Sequence, residues 1–306
     1  MKKMTGKNIL MLFLTAFIWG SAFVAQSVGM DYVGPFTFSC VRSFIGGIFL
    51  IPCIWFLDQW RAKNDGTERE KKAVSKEEKK MELLGGICCG LALCVATNLQ
   101  QIGMQYTTVG KAGFITALYI VLVPIFGIFL KKKVEARIWV SVMISVVGLY
   151  LLCITDKLVL GKGDTLVLLC AVVFTIHILV IDYFSPKADG VRIACIQFFI
   201  TGILSAIPMF LFETPRLSDI FAAAVPVLYA GVLSSGVAYT LQIVAQKDAD
   251  PTVASLILSL ESVFSVLGGW MILGQKLSIR EIAGCILMFS AIILAQLPEK
   301  SKNEEA

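Results

Sequence analysis

Three residues able to do acid–base or ion-pair chemistry lie well inside long apolar runs of this 306-residue chain: Arg42, His177 and Glu261. A charged side chain in hydrocarbon costs about 2.5–3.5 kcal/mol on insertion scales, so each such residue marks a candidate site. The planar guanidinium suits a carboxylate and its charge is permanent. Arg42 therefore either anchors an acidic ligand group or serves as a buried clamp for backbone carbonyls or for Glu261. His177 is the sole histidine. Imidazole titrates at about pH 6.5, which suits proton coupling, and a lone intramembrane histidine equally suits a hydrogen bond to a neighbouring helix. Glu261 is a second candidate proton carrier, with salt bridging and packing as its structural alternatives.

Uncharged polar residues form two stripes. Cys94, Asn98, Gln101 and Gln105 succeed one another at intervals of 4, 3 and 4, which places them on one face of a helix. Ser235, Tyr239, Gln242 and Gln246 have the same spacing. Such a face either lines a wet cavity or makes interhelical hydrogen bonds. Trp19 and Tyr119 are candidate cavity walls that stack on a ligand, although aromatic residues also mark membrane interfaces. Gly86-Ile-Cys-Cys-Gly90 has the small-xxx-small spacing of a close helix contact, expected within the monomer.

Enzyme chemistry finds little purchase. Gly161-Lys-Gly-Asp164 matches a Gly-x-Gly-Asp string of intramembrane aspartyl proteases. The nearest partner carboxylate, Asp182, is about 27 Å further along the same helix, too far to share a proton. A Ser–His pair would depend on His177, with no Gly-x-Ser-x-Gly string beside it. His-Glu-x-x-His and phosphate-loop strings are absent, so neither zinc hydrolysis nor direct ATP coupling is expected. The nine cysteines have no zinc-type spacing and are expected to be small buried hydrophobes, so no metal and no cofactor is anticipated.

The elements that must hold these residues follow from composition. Hydrophobic residues make up 57% of the chain and charged ones 16%, with a mean hydropathy of +0.80. A soluble domain averages roughly 45–50% apolar and about 25% charged. The excess excludes a disordered or coiled-coil chain, and unbroken apolar runs exclude a porin-type barrel. Ten apolar segments fall near 8–29, 35–57, 82–104, 109–130, 135–154, 165–184, 191–212, 224–246, 251–273 and 279–297. The first is too long for a signal-peptide core and is expected to be retained. With the N-terminus inside, 20 of the 27 lysines and arginines fall on the inner side and six on the outer, Arg42 lying within a span. That bias predicts a multi-pass protein of the cell membrane with both termini cytoplasmic. The net charge of +5 resides in the connections and predicts no nucleic-acid site. The mixed charges of 58–81 predict a solvated cytoplasmic linker, or alternatively a polybasic lipid-binding patch.

The two halves resemble each other. At a spacing of 142, Leu99-Gln100 falls on Leu241-Gln242, Ala112 on Ala254, Ile115 on Ile257, Leu118 on Leu260 and Tyr119 on Glu261. Near the start of each half the spacing is about 155, setting Trp19 against Phe174 and Arg42 against Gln197. The polar stripes overlay at 141, one short of the Leu-Gln match, so their register stays open. Residues 1–154 and 155–306 thus each hold five spans. Because five is odd, the second half enters from the opposite side, the mark of an inverted-topology repeat. The predicted fold is an all-α polytopic membrane protein of ten transmembrane helices in two inverted five-helix repeats.

Phe17-Ile-Trp-Gly-Ser-Ala-Phe-Val24, Pro35 with Arg42, and the run from Gly113 to Pro124 carry a resemblance to the drug/metabolite transporter superfamily, in its EamA-like branch. The second half adds Gly163-Asp164, His177, Ser259-Leu-Glu261 and Gly274 to Ser278, continuing to Gly284. Two positions depart from the pattern: Ser262 follows Glu261 where proline is frequent, putting a kink there in question, and Gln275 stands where an acidic residue is common. The resemblance implies a central cavity, alternating access, and no single substrate, since relatives move amino acids, drugs or other metabolites. The expected activity is secondary transport of a small molecule, in the export direction, with the bilayer and protons as further partners. Substrate contacts are expected at Trp19, Arg42, Asn98, Gln101, Tyr119, Gln197, Tyr239 and Gln242, and proton coupling at His177 and Glu261. A passive channel, or more remotely an intramembrane enzyme, is the alternative. The oligomeric state is left open by the sequence.

Overall fold

The computed structural model describes residues 4–64, 76–132, 134–153, 161–273 and 278–297, and among them every regular element is helical. Part of the charged 58–81 run, Lys133, the stretch 154–160, the Gly274–Leu277 part of the resemblance and the C-terminal lysines lie outside the described residues. The chain runs α1 (Gly6–Gly29), α2 (Pro35–Asn64), α3 (Lys76–Met104), α4 (Val109–Ala117), α5 (Tyr119–Phe129), α6 (Ala136–Cys153), α7 (Lys162–Phe184) and α8 (Gly190–Phe212). Two short helices follow, α9 (Leu217–Ala222) and α10 (Ala224–Leu228), then a π-helical stretch, Tyr229–Tyr239. The chain ends in α11 (Thr240–Gln246), α12 (Pro251–Leu258), α13 (Glu261–Leu273) and α14 (Ile279–Gln296). Among the described residues, eight stretches are long and apolar enough to cross a bilayer, taking Val109–Phe129, Ala224–Gln246 and Pro251–Ile272 as single passages. Large apolar side chains point outward, Phe210, Leu211 and Phe212 each 70% exposed or more, a surface suited to lipid and not to water.

Helix starts are chemically specified. Thr5, Thr108, Asp189, Asp250 and Ser278 accept hydrogen bonds from backbone amides of the first turn. The start of α2 is capped from a distance instead. Glu213, just past the end of α8, accepts from the amides of Phe36 and Thr37 at 2.9 and 2.8 Å and from the Thr37 hydroxyl at 2.6 Å. A negative charge there also complements the helix dipole. At the opposite ends of the same two helices, Arg192 pairs with Asp58 at 2.7 Å.

Small residues set the closest approaches. A Cβ at Gly86 or Gly90 of α3 would lie 2.4 or 2.7 Å from the Cβ of Ile196 or Ile200 on α8, so the Gly-xxx-Gly stripe is an internal helix contact. A Cβ at Gly148 of α6 would stand 2.9 Å from the Gly284 carbonyl of α14. The packing partners are α2 with α8 and α6 with α14. In addition α3 packs on α7 and α8, the π stretch on α1 and α2, α4 and α5 on α7, and α12 and α13 on α1.

Two passages are broken midway. The first breaks at Leu118 and the second at Ser259 and Leu260. The absence of proline after Glu261 left this second kink in question; serines supply it. Ser255, Ser259 and Ser265 donate to carbonyls three residues back at 2.7, 2.7 and 2.8 Å, competition that bends a helix. Ser262 instead reaches the Gly113 carbonyl on α4 at 2.9 Å, joining the two broken passages.

Candidate functional site

Between the broken passages and helices α1, α2, α3, α7 and the π stretch lies a small internal cavity of about 30 Å³. One water needs about 10–15 Å³ on that measure, so in this conformation the cavity holds a few waters at most and no metabolite. Its charged wall is Arg42 from α2 and Glu261 from α13. Both are buried, at 3% and 4% exposure. Among the described residues Arg42 makes no ion pair with a carboxylate; its guanidinium carbon lies 5.9 Å from the Phe38 ring centroid. The clamp between Arg42 and Glu261 considered from the sequence is therefore not made. Glu261 accepts a hydrogen bond from the Tyr119 hydroxyl at 3.0 Å. Tyr119 is the first residue of α5 and Glu261 the first of α13, so the bond links one helix break to the other.

The aromatic wall is Trp19 against Tyr239, ring centroids 4.5 Å apart, with Phe23 and Phe174 beside them. Trp19 is held by its indole nitrogen, which donates to the Ser234 carbonyl at 3.4 Å. Thr15, one turn earlier on α1, donates to the Ala238 carbonyl at 3.1 Å. Both acceptors belong to the π stretch, so α1 anchors the irregular helix that carries Ser234 and Tyr239 into the cavity. Irregular backbone of this kind is common at functional sites. Amide side chains complete the lining: Gln26, Gln100 and Gln242. Gln100 donates to Thr116 at 3.1 Å, whereas the side-chain oxygens of Gln26 and Gln242 are buried without a partner among the described residues.

Of the sequence candidates, the structure brings Trp19, Arg42, Tyr119, Tyr239, Gln242 and Glu261 together at this cavity. Asn98, Gln101, His177 and Gln197 are placed elsewhere. Asn98 donates to Ser205 of α8 at 2.8 Å and to the Cys94 carbonyl at 2.8 Å. Gln101 donates to the Gln26 carbonyl at 3.3 Å. His177 Nε2 and Gln197 Oε1 are 3.2 Å apart, sealed from solvent, and the imidazole meets Phe174 and Tyr239 edge-on. The polar stripe on α3 thus faces α8 and α1, while Gln100, one residue off it, faces the cavity. The signal that could have found Gln100 was its match to Gln242 at 142. Gln26, Phe174, Thr116 and Ser234 were not singled out as site residues; Phe174 is the position that the repeat sets against Trp19.

Asp164 caps α7 through the Gly161 amide at 3.0 Å, and takes bonds from Thr107 at 2.5 Å and Lys111 at 3.0 Å. Asp182 pairs with Lys132. The two carboxylates are thus held separately, at opposite ends of α7. Among the described residues no cluster of three or more histidine, cysteine or acidic side chains could hold a metal, and the described cysteines are free.

Known proteins bear on the same chain. The profile of the EamA-like transporter family matches residues 6–154 and again 161–297. A relative from Archaeoglobus fulgidus, named only as an uncharacterized transporter, is 32% identical over 287 residues, spanning 94% of this chain and 84% of that one. The uncharacterized transporter YoaV of Bacillus subtilis is 22% identical, spanning 94% and 96%. A protein of known crystal structure superposes with a TM-score of 0.73 over 94% of this chain and 96% of the other. Its identity is 18%, so this likeness speaks for the fold alone.

Proposed function

The chain belongs to the EamA-like transporter family, within the drug/metabolite transporter superfamily, and on that premise we propose that it is a secondary carrier exporting a small metabolite by alternating access. The observation that carries the proposal is an internal cavity whose lining holds one cation and one carboxyl group that do not pair with each other. A buried arginine without a carboxylate is costly unless its charge is used, and a ligand carboxylate would use it. The unpartnered oxygens of Gln26 and Gln242 accept hydrogen bonds, and suit the ammonium or amide end of the same ligand. Amino acids and amphipathic drug-like molecules meet this description. Glu261 is the better-placed proton carrier, because it faces the cavity and His177 does not.

The architecture proposed is ten spans in two inverted repeats, 1–154 and 155–306, in the cell membrane with both termini cytoplasmic. Three observations support it. The family profile matches twice, once in each half. The helix breaks at Leu118 and Leu260 are 142 apart, the spacing found in the sequence. Exchanging the halves also exchanges the packing partners, α3 on α7 for the π stretch and α11 on α1, and leaves α2 with α8 and α6 with α14 unchanged.

The deciding experiment is counterflow in liposomes against a panel of amino acids and other small metabolites. A carrier preloaded with unlabelled solute drives transient accumulation of the labelled one; an open pore does not. A folded protein that gives no counterflow across the panel ends the carrier reading. Vectorless turnover lost on changing His177 or Asp164 would point to an enzyme instead.

A further inference from the structure

We propose that Tyr119 is the positioning residue for Glu261, and that their hydrogen bond is the fixed point about which the two halves rock, made in both access states. The inference rests on the carrier reading with inverted repeats. In such a protein one access state becomes the other when the halves trade conformations. A contact between positions that are each other's counterparts maps onto itself in that trade. Tyr119 and Glu261 are 142 apart, the repeat spacing, and they touch at 3.0 Å while sealed from solvent. Their bond is therefore carried unchanged from one state to the other.

Contacts between non-counterparts behave differently. The outer end of α3 meets the start of α7, where the Lys162 ammonium lies 4.7 Å from the Tyr106 ring centroid and a Cβ on Gly163 would fall 2.6 Å from the Gly103 carbonyl. The trade converts this closure into one between α11 and α1 at the opposite end. Such closures open and close, whereas the bond across the breaks does not. Around Glu261 the other charged or titratable groups are Arg42 of α2, which shares the cavity, with Cys170 of α7 and Tyr239 of the π stretch within electrostatic reach. None of them takes the hydrogen bond, so Tyr119 alone among them fixes the rotamer of the carboxyl group.

The test needs no substrate. Ser234→Cys, lining the cavity, is the reporter in a chain whose native cysteines are replaced, reconstituted in liposomes. Membrane-impermeant methanethiosulfonate reagent is applied from one side, then the other. The untethered protein should be labelled from both sides; labelling from one side only removes the carrier reading itself, and the inference with it. Leu118→Cys with Leu260→Cys, beside the bonded pair and themselves counterparts, is then joined by bifunctional thiol linkers of graded length. Two-sided labelling should persist within twofold. Loss of either side, or failure of every linker to join the pair, overturns the fixed point. Tyr106→Cys with Lys162→Cys, tethered in the same way, should cut labelling from the outer side at least tenfold; unchanged labelling also overturns the scheme.

Hydrogen–deuterium exchange of the full-length protein supplies a second readout that checks folding in the same run. Tyr119→Phe should raise exchange about 115–120 and about 257–262 together, at least threefold in each. Glu261→Gln keeps an acceptor for the tyrosine and should leave both segments protected. A change confined to one break, or equal loosening by both variants, would show that Tyr119 is only packing.

Discussion

Arg42 and Glu261 share a cavity without sharing a bond, and that separation makes each of them testable. A lysine at position 42 keeps the charge but loses the planar fork that holds a carboxylate by two bonds. Hydrogen bonds to a charged group contribute about 1.5–3 kcal/mol, so Arg42→Lys should raise the half-saturation concentration for counterflow at least about tenfold. An unchanged value would mean that the substrate does not touch the guanidinium. Glu261→Gln removes the only described carboxyl group of the cavity while preserving its shape and its bond from Tyr119. The pH profile of transport should flatten in this variant. His177→Asn should keep the profile, because the imidazole does not line the cavity: its Nε2 meets Gln197 and its ring packs behind the cavity-lining Phe174 and Tyr239. If His177→Asn flattens the curve and Glu261→Gln does not, the proton assignment between the two is reversed.

Helix α1 carries the contacts that shape the irregular elements around the site. Thr15→Val should remove the hydroxyl that Ala238 of the π stretch shares with Met11 of α1, and lower stability by about 0.6 kcal/mol, the average for intramembrane side-chain hydrogen bonds. Gly20→Ala should cost more, about 1–3 kcal/mol as for other overpacked sites. Its Cβ would fall 2.4 Å from the Cβ of Phe264 and 2.6 Å from the Glu261 carbonyl, forcing α13 away at the turn that presents the carboxyl group. Unfolding in mixed micelles, followed by tryptophan fluorescence, should rank these variants in that order. The contrast in what the sequence disclosed has a physical basis at this scale. Apolar runs and turn residues located the long helices, eight stretches among the described residues being long and apolar enough to cross, because lipid demands long uninterrupted stretches. The π stretch and the serine-driven break were invisible, since both depend on which carbonyls find partners on another helix. The same holds for the α3 stripe: periodicity tells that Asn98 and Gln101 share a face, but only packing tells that the face belongs to α8 and α1 and that Gln100 meets the cavity.

At the scale of the molecule, the proposed topology ties the distribution of charge to an odd number of passages per half. With ten spans and an inner N-terminus, twenty of the 27 basic residues would fall on one side, and that bias favours the proposal of both ends there and an even total of crossings. The charged links at the helix ends are consistent with the same orientation. Lys132–Asp182 and Arg192–Asp58 gather on the side proposed as cytoplasmic, and Lys111–Asp164 and the Glu213 cap on the other. Single cysteines at Lys187 and Arg216, placed in otherwise cysteine-free protein in intact cells, convert this into a measurement. Arg216→Cys should react with an impermeant maleimide from outside, and Lys187→Cys only after permeabilisation. Tags fused to the two termini should both behave like Lys187→Cys. Opposite behaviour of the two termini would require an odd number of crossings. The two halves would then not be matched repeats of equal span number, the Tyr119–Glu261 bond would no longer join counterparts, and the cavity between the breaks would need a different mechanism to open.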